Sequence, residues 1–455
     1  MKALVPLILL LAAFLGLSVA YSTATPYRTP GVLAFQRGPD GLPARVPDVG
    51  APDERQHANY ISHLLQGKGF PVLRPGSADL GETYQSHQPP LYYLLAAGWA
   101  KVAGLDPTLS SAGVPLRLLN SLVGLATLLG IYFLVFWGTG KRSVANAATA
   151  FAALLPMFVA LHGAVSNDPL LFCLCTWVLA LCVKGSVQHW SLRLSVGIGF
   201  LVGLALLTKT SALALVPLLL VALYLAHRQE TPEDRPTPLA MAIAILLPLV
   251  IFAPWALRNF GLYGDFLAIS AFNQAFVGSP QAAGFIEMAG PVGYWTQWVG
   301  WWTGRSLVGF FGYMDIQLFE SLGLDSNRQG AFYSLVLAIF GFATLFWFVK
   351  SKDLAEEDPS PASLLPLQVL SGLLAILTLV LFVRFNLQYF QGQARYLFLA
   401  IGPLALWVGG GVCGVMKGRK DWAWLVIAIF LGALSWVGYQ TLGEAFLRRT
   451  IGAGS

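Results

Sequence analysis

Long apolar runs recur along this chain from end to end, broken by short polar turns, and they do not alternate as strands would. Each run is close to the ~20 residues that carry a helix across ~30 Å of hydrocarbon. The pattern predicts membrane-spanning helices near 3–21, 117–138, 143–163, 167–185, 192–208, 210–226, 238–257, 329–349, 363–384, 395–416 and 422–441, about eleven in all. An outer-membrane barrel is excluded, because its strands alternate in short segments. The fold class expected is an all-α polytopic membrane protein.

One apolar stretch, 89–105, is short for a crossing and contains Lys101. If it spanned, the turns bearing Lys141-Arg142, Lys184, His227-Arg228 and Lys417-Gly418-Arg419-Lys420 would share a side with the polar loop after the first helix. If it does not span, those turns, with Lys350 and Lys352, fall opposite that loop and beside Lys2. Cytoplasmic loops carry the excess of basic residues, which favours the second arrangement. Residues 89–105 therefore read as an interfacial or re-entrant helix, although Arg448-Arg449 then fall on the wrong side.

This topology divides the chain into a first helix (1–21), an extracytoplasmic loop (22–116), central helices (117–257), a Trp-rich extracytoplasmic loop (258–328), C-terminal helices (329–441) and a tail (442–455). The first run could be a signal peptide cut after Ser18-Val19-Ala20, or an uncleaved helix; further spans follow, which favours the uncleaved anchor. Segments 227–238 and 351–362 read as solvated linkers. No repeat at a fixed period and no soluble domain large enough to fold alone is evident.

Composition agrees. Of 455 residues, 56% are hydrophobic and 11% charged, and mean hydropathy is +0.65; soluble domains carry roughly 25% charge. Cys173, Cys175, Cys182 and Cys413 sit in apolar runs without zinc-site spacing, so they read as packing residues. The net charge of +6 fits basic cytoplasmic turns and anionic head groups and does not argue for nucleic acid. No Gly-rich phosphate loop follows a strand.

Candidate chemistry lies in the polar loops. Pro52 suits a first helical turn, which would place Asp53 and Glu54 at a helix N-terminus, where carboxylates are also merely stabilising. His57 follows at a spacing that could orient either acid. A carboxylate there can take a proton from a hydroxyl attacking a sugar carbon, help that contributes about 10²–10⁴-fold. A phosphate leaving group needs cations, and Lys209, Arg258, Arg305 and Arg395 lie at span ends on the same face. Asn167-Asp168 precede a span, where capping is the ordinary role. Asp265 and Asp315 read as loop or interface residues, and Tyr294 to Trp302 as an aromatic belt that could also act as a lid or stacking platform. His87 could bind a divalent metal opposite Asp53, though no tight ligand spacing requires one.

The ordered set Pro52-Asp53-Glu54 with His57 and Tyr60, His87-Gln88-Pro89-Pro90-Leu91-Tyr92-Tyr93, Ser166-Asn167-Asp168, Leu207-Thr208-Lys209, Trp255 to Arg258-Asn259 with Tyr263-Gly264-Asp265, Phe311 to Asp315, and Gln393-Ala394-Arg395-Tyr396 resembles the C-type (GT-C), polyprenyl-phosphate-dependent glycosyltransferases. The nearest branch is that of protein O-mannosyltransferases and lipid A aminoarabinose transferases. The resemblance implies a catalytic base at Asp53, with Glu54 as the motif's second acid and His57 beside it. It places Lys209, Arg258 and Arg395 on the donor phosphate. Tyr60, His87, Gln88, Asn167, Asp168, Arg305 and Tyr396 complete the expected substrate-binding set. The loop departs from the family's usual Asp-Glu-x-x-Tyr spacing. The implied function is inverting transfer of a sugar from a polyprenyl-phosphate donor to a hydroxyl acceptor on protein, lipid or glycan at the extracytoplasmic face of the cell membrane. The rival readings are a lipid or glycan flippase, which would place charges deep within broken helices, and a non-catalytic envelope-assembly scaffold.

Overall fold

The computed structural model describes residues 4–37, 41–356 and 364–451. Lys2, the second half of the expected 351–362 linker and the last residues of the tail lie outside them; residues 351–356 continue a helix. Helix α1 (Val5–Ala24) leads into a small hairpin, β1 (Gly31–Arg37) with β2 (Pro43–Val46). Three helices fill the rest of the first loop: α2 (Glu54–Leu65), α3 (Leu80–Thr83) and α4 (Leu91–Val102). The central bundle is α5 (Gly113–Thr139), α6 (Arg142–Ala153), α7 (Pro156–His162), α8 (Asp168–Val187), α9 (Leu192–Leu206), α10 (Leu215–His227) and α11 (Pro238–Tyr263). The second long loop holds α12 (Ile269–Ala275), α13 (Ala282–Gly293) and α14 (Trp301–Val308), then the short pair β3 (Phe310–Phe311) and β4 (Ile316–Gln317). Helices α15 (Ser326–Glu356), α16 (Leu364–Asn386), α17 (Ile401–Val415) and α18 (Ala423–Ile451) complete the chain.

Among the described residues, nine helices are long and apolar enough to cross a membrane, or ten if the bent pair α6–α7 is one crossing. The expected eleven therefore do not all stand as full spans. Two segments differ, each for a local reason. The 143–163 run breaks where Leu155 is extended (ψ 116°) ahead of Pro156, and α6 and α7 meet at 66°; proline pushes its predecessor out of the helical region and cannot donate. The 192–208 run yields only 15 residues of helix, roughly 22 Å at 1.5 Å per residue. The 89–105 stretch forms the 12-residue α4, too short to cross ~30 Å. Two small hairpins are the only strands described, in an otherwise helical molecule.

Helix α6 is the hub. Val144 to Ala153 are all buried, and the side chains are mostly alanine, so α1, α5, α7, α17 and α18 can all pack on it. The Gly409-Gly410-Gly411 run makes α17 equally close to its neighbours. A Cβ at Gly409 would meet the Ala147–Ala148 backbone of α6, one at Gly410 the Trp347 ring, and one at Gly411 the Ala343 backbone of α15. The four cysteines are buried and free, as packing residues are.

The polar residues segregate by end. Arg117, Asp168, Lys209 and Arg395 lie at or just before the starts of α5, α8, α10 and α17. Lys141-Arg142, Lys184, His227-Arg228 and Lys417 to Lys420 lie at the opposite ends of those same helices. Arg448 and Arg449, which ran against the charge rule, are engaged near the first set: Arg449 is buried against Asp315 at 3.1 Å, and Arg448 reaches Glu320 and Glu444. Asp315 lies in the turn between β3 and β4, a loop residue as expected, and is buried there as the partner of Arg449.

Overpacking the α17 seam should cost about 1–3 kcal/mol. Gly411→Leu should lower the thermal midpoint of the detergent-solubilised protein, whereas Gly432→Leu on α18, where a Cβ meets nothing within 4 Å, should leave it near that of the unchanged chain.

Candidate functional site

Helix α2 begins at Glu54, and Asp53 stands just before it with φ 64° and ψ −8°. The expected placement of Asp53 inside the first helical turn is therefore corrected by one residue. Non-glycine residues enter this left-handed region at a cost, of order 1–3 kcal/mol when the surroundings impose it. The Asp53 carbonyl accepts from the His57 N–H at 3.0 Å, while its side chain caps nothing and turns away from the helix.

The adjacent acid explains the turn. Glu54 is fully buried, and Arg117 of α5 donates to both its oxygens, at 2.8 and 2.5 Å. The Val165 N–H donates to the same carboxylate at 2.7 Å. The remaining Arg117 donors reach the carbonyls of Ser22, Thr25 and Pro26 at 2.7, 2.7 and 2.8 Å. All five guanidinium N–H groups are thereby used, the condition under which a buried ion pair is tolerated. Glu54 is tied into the fold, and Asp53 is aimed the other way.

Asp53 faces a cavity of about 810 Å³. Its Oδ1 accepts from the Tyr84 hydroxyl at 2.7 Å and its Oδ2 from Arg395 Nη1 at 2.9 Å. Across the cavity, Lys209 Nζ donates to Asp168 Oδ1 at 2.6 Å. Asn167 holds Gln88 Oε1 and the Thr208 carbonyl at 3.3 and 3.2 Å, and neither Asn167 nor Asp168 caps α8 through its side chain. Tyr396 sits beside Arg395, its hydroxyl 3.3 Å from Nη2. Arg384 lines the same space, exposed, with no ion pair or hydrogen bond shown for it. The far end is apolar, formed by Leu171, Phe172, Leu213, Leu381, Phe382 and Leu399 of the spanning segments. The stacked rings of Phe272 on α12 and Phe276 at its C-terminal end, 4.4 Å apart, form one wall.

Burial works to raise the Asp53 carboxyl, but the Arg395 charge and the Tyr84 hydrogen bond outweigh it and hold the group below its ordinary value. Burial pushes His57 down to about 4, against the pull of Asp53 and Asp168. His57 shares a hydrogen bond of 2.8 Å with Tyr93 and pairs with neither acid of the motif. His87 is likewise pushed to about 4 by burial. Its Nδ1 meets the Tyr84 carbonyl at 2.7 Å, so Nδ1 carries the proton and Nε2 accepts from Gln88 at 3.2 Å.

The cavity thus brings together Asp53, His57, His87, Gln88, Asn167, Asp168, Lys209, Arg395 and Tyr396. Glu54, Tyr60, Arg258 and Arg305 are not among its lining residues. Tyr60 stacks on Tyr93 with centroids 3.8 Å apart. Arg258 lies over the Trp255 ring and donates to the Phe70 and Pro71 carbonyls, at 3.2 and 2.7 Å. Arg305 is held among the rings of Trp301, Trp302 and Phe310. The Trp-rich stretch packs against Phe285 and Phe390 as a small second core. Asp265 is a loop residue, accepting from Leu267 and Ser270 N–H groups.

Sequence reasoning missed Tyr84, Gln85, Arg384 and Arg117. Arg117 carried a signal, a charge inside an otherwise apolar helix, which is rare without a purpose. Among the described residues no three His, Cys, Asp or Glu side chains converge as metal ligands, and the two cavity carboxylates are held by cations. This donor set does not fit a divalent metal.

The family model for dolichyl-phosphate-mannose-protein mannosyltransferases matches residues 87–257. Among solved structures, the chain resembles the oligosaccharyltransferase of Archaeoglobus fulgidus tethered to an acceptor peptide, with a TM-score of 0.55 and 13% identity over 96% of this chain and 55% of that one. It also resembles apo ArnT from Cupriavidus metallidurans, with a TM-score of 0.52 and 16% identity over 100% of this chain and 77% of that one. The same archaeal enzyme, AglB, in complex with an inhibitory peptide and a dolichol-phosphate gives a TM-score of 0.51 at 14% identity, covering 96% and 55%. The chain spans about half the length of these archaeal relatives. No curated protein matches the sequence.

Removing one partner of the buried Glu54–Arg117 pair should cost about 3–5 kcal/mol: Arg117→Leu should unfold at markedly lower temperature, and Arg117→Leu with Glu54→Leu should recover part of the loss. A second expectation concerns pH. His57 and His87 resist protonation until about 4 when folded but titrate near 6.5 when unfolded. The unfolded chain binds more protons between those values, so stability must fall as pH drops through that window. The thermal midpoint followed from pH 7 to 4 should decline, and less steeply in His57→Gln.

Proposed function

We propose that this chain, which has the fold of the C-type glycosyltransferases, transfers a sugar from a polyprenyl-phosphate donor to a hydroxyl acceptor, with inversion at the anomeric carbon. One observation carries the reading. A carboxylate, Asp53, and cations from distant helices share a cavity that is polar at one end and apolar at the other. Such a space suits a ligand with a charged head and a hydrocarbon tail. The dolichol-phosphate bound by the archaeal structural relative is a ligand of that class.

The chemistry follows from the groups present. Asp53 accepts the proton of the acceptor hydroxyl while that oxygen attacks the anomeric carbon. The bond from that carbon to the phosphate oxygen breaks, and the electron pair leaves with the polyprenyl phosphate. Lys209, Arg384 and Arg395 offset the charge that develops there. In the resting arrangement Arg395 occupies one Asp53 oxygen and Tyr84 the other. An arriving phosphate competes for Arg395 and so frees the Oδ2 lone pair that the proton needs. His57 stays neutral beside this base and holds no charge against it.

The membrane face follows from the basic turns. They cluster at the helix ends away from the cavity, and such turns favour the cytoplasm. The site then opens on the extracytoplasmic side.

Purified protein in lipid nanodiscs, given radiolabelled polyprenyl-phosphate sugars and membrane extract, should move label from the lipid to an acceptor. Asp53→Asn should lower that rate about 10²–10⁴-fold while the protein remains folded and inserted in the membrane. Undiminished transfer by this variant would remove Asp53 as the base, and no transfer from any polyprenyl-phosphate sugar would end the reading.

A further inference from the structure

We infer that Tyr84 is a positioning residue for the base: it keeps hold of Asp53 Oδ1 and so presents Oδ2 as the oxygen that takes the acceptor proton. The role deepens the reading of Asp53 given above and rests on it.

Asp53 needs a restraint from outside its own helix. It stands before α2 in a left-handed conformation and caps nothing, so α2 does not fix its carboxylate. The last torsion of an aspartate side chain is broad and roughly two-fold, and an unrestrained carboxylate offers either oxygen. Among the described residues its side chain accepts from two donors, the Tyr84 hydroxyl on Oδ1 at 2.7 Å and Arg395 Nη1 on Oδ2 at 2.9 Å.

The two donors differ. Arg395 is a cation whose charge also acts on Asp168, and its Nη2 meets the Tyr396 hydroxyl at 3.3 Å. A phosphate competes for it by charge. Tyr84 carries no charge to attract a phosphate, and its own place is fixed. The turn that bears it, Tyr84–His87, closes on itself: Ser86 Oγ donates to the Thr83 carbonyl at 2.6 Å, His87 Nδ1 to the Tyr84 carbonyl at 2.7 Å and the Gln88 N–H to the Gln85 carbonyl at 3.0 Å. The Tyr84 ring meets Phe276 edge-on, with centroids 5.6 Å apart. Burial, joined by the Asp53 charge, pushes the Tyr84 hydroxyl well above the ordinary phenol range, so it stays a donor and does not compete for the proton.

Once Arg395 turns to the phosphate, Tyr84 is the remaining hold on Asp53. A hydrogen bond to the charged carboxylate lowers its basicity, which slows proton transfer at a given geometry. The gain is in aim, since a reacting group misplaced by about 1 Å can lose about 10²-fold in rate.

The test is transfer kinetics on the full chain in nanodiscs across a pH series. Tyr84→Phe should lower kcat about 10–10²-fold and leave the donor KM unchanged, because Lys209, Arg384 and Arg395 still meet the phosphate. The Tyr84 bond favours the charged carboxylate, so without it Asp53 holds its proton to higher pH. The acidic limb of kcat/KM, which reports the free enzyme's base, should therefore move upward. Asp53 is faced by His57 from α2 and Arg395 from ahead of α17, shares the cavity with Asp168 and Lys209, and acts on Tyr313 of the β3–β4 turn. Of these His57 titrates lowest, at about 4, so the shift should persist in a His57→Gln background. A loss of folded protein would scale the whole profile without moving its limb. On top of Asp53→Asn, Tyr84→Phe should remove nothing further, because residues that act as a unit are not additive. A raised donor KM with kcat intact would make Tyr84 a phosphate ligand and overturn the inference, as would an unmoved limb or a full additional loss on Asp53→Asn. A crippled Asp53→Asn beside an unchanged Tyr84→Phe would end this role alone. Undiminished transfer by Asp53→Asn, or no transfer by the unchanged chain, would end the reading beneath it and this role as well.

Discussion

The site depends on one buried ion pair, Glu54 with Arg117. Its carboxylate is fully enclosed and its guanidinium uses every donor, three of them on the carbonyls that end α1 and start the first loop. A charge so enclosed is costly unless its partner is fixed in place, so the pair sets where α2 starts relative to α1 and α5. With Glu54 fixed inward, Asp53 must leave the helix in a left-handed conformation and point toward the cavity. Two adjacent acids thus have opposite fates. One is immobilised and inaccessible; the other lines the cavity, held by Tyr84 and Arg395.

Much of the fold was legible because the bilayer imposes a simple rule on the sequence. Helices found near the expected spans, the short α4 and the sorting of basic turns to one set of helix ends all follow from apolar run length and charge placement. The departures were local. Pro156 breaks a run that hydropathy reads as continuous, and α9 is shorter than its apolar stretch. The site was legible where residue type and chain order both pointed to it, as for Asp53, Asp168, Lys209 and Arg395. It was illegible where a cation's neighbours decide its role. Arg258 and Arg305 sit at span ends like the others, but nearby aromatic rings and loop carbonyls hold them away from the cavity. Tyr84 and Gln85 come from a short turn with no periodic signature, and only the folded loop shows that they face Asp53's cavity.

The cavity's two ends use different physics. At the polar end, Asp53 pairs with Arg395 and Asp168 with Lys209, and Arg384 adds a further positive charge to the lining. At the other end, side chains of the spanning segments are mostly apolar, with Thr378 among them, which suits a chain arriving from the bilayer rather than from water. The aromatic wall of Phe272 and Phe276 comes from the second long loop, so both extended loops contribute to one enclosure.

The residues that meet in this site are unevenly separated along the chain. Asp168 and Lys209 are 41 positions apart and Glu54 and Arg117 are 63 apart, whereas Asp53 and Arg395 are 342 apart. During synthesis from the amino terminus, the scaffold pair can therefore lock as soon as α5 is inserted, and the lysine pair follows shortly after. The contact between Asp53 and Arg395 must wait until the segment ahead of α17 has been made. A ribosome stalled before α17 would leave the acidic loop and the lysine pair in place with the guanidinium still unmade, so the cavity's two ion pairs form at well-separated stages of synthesis.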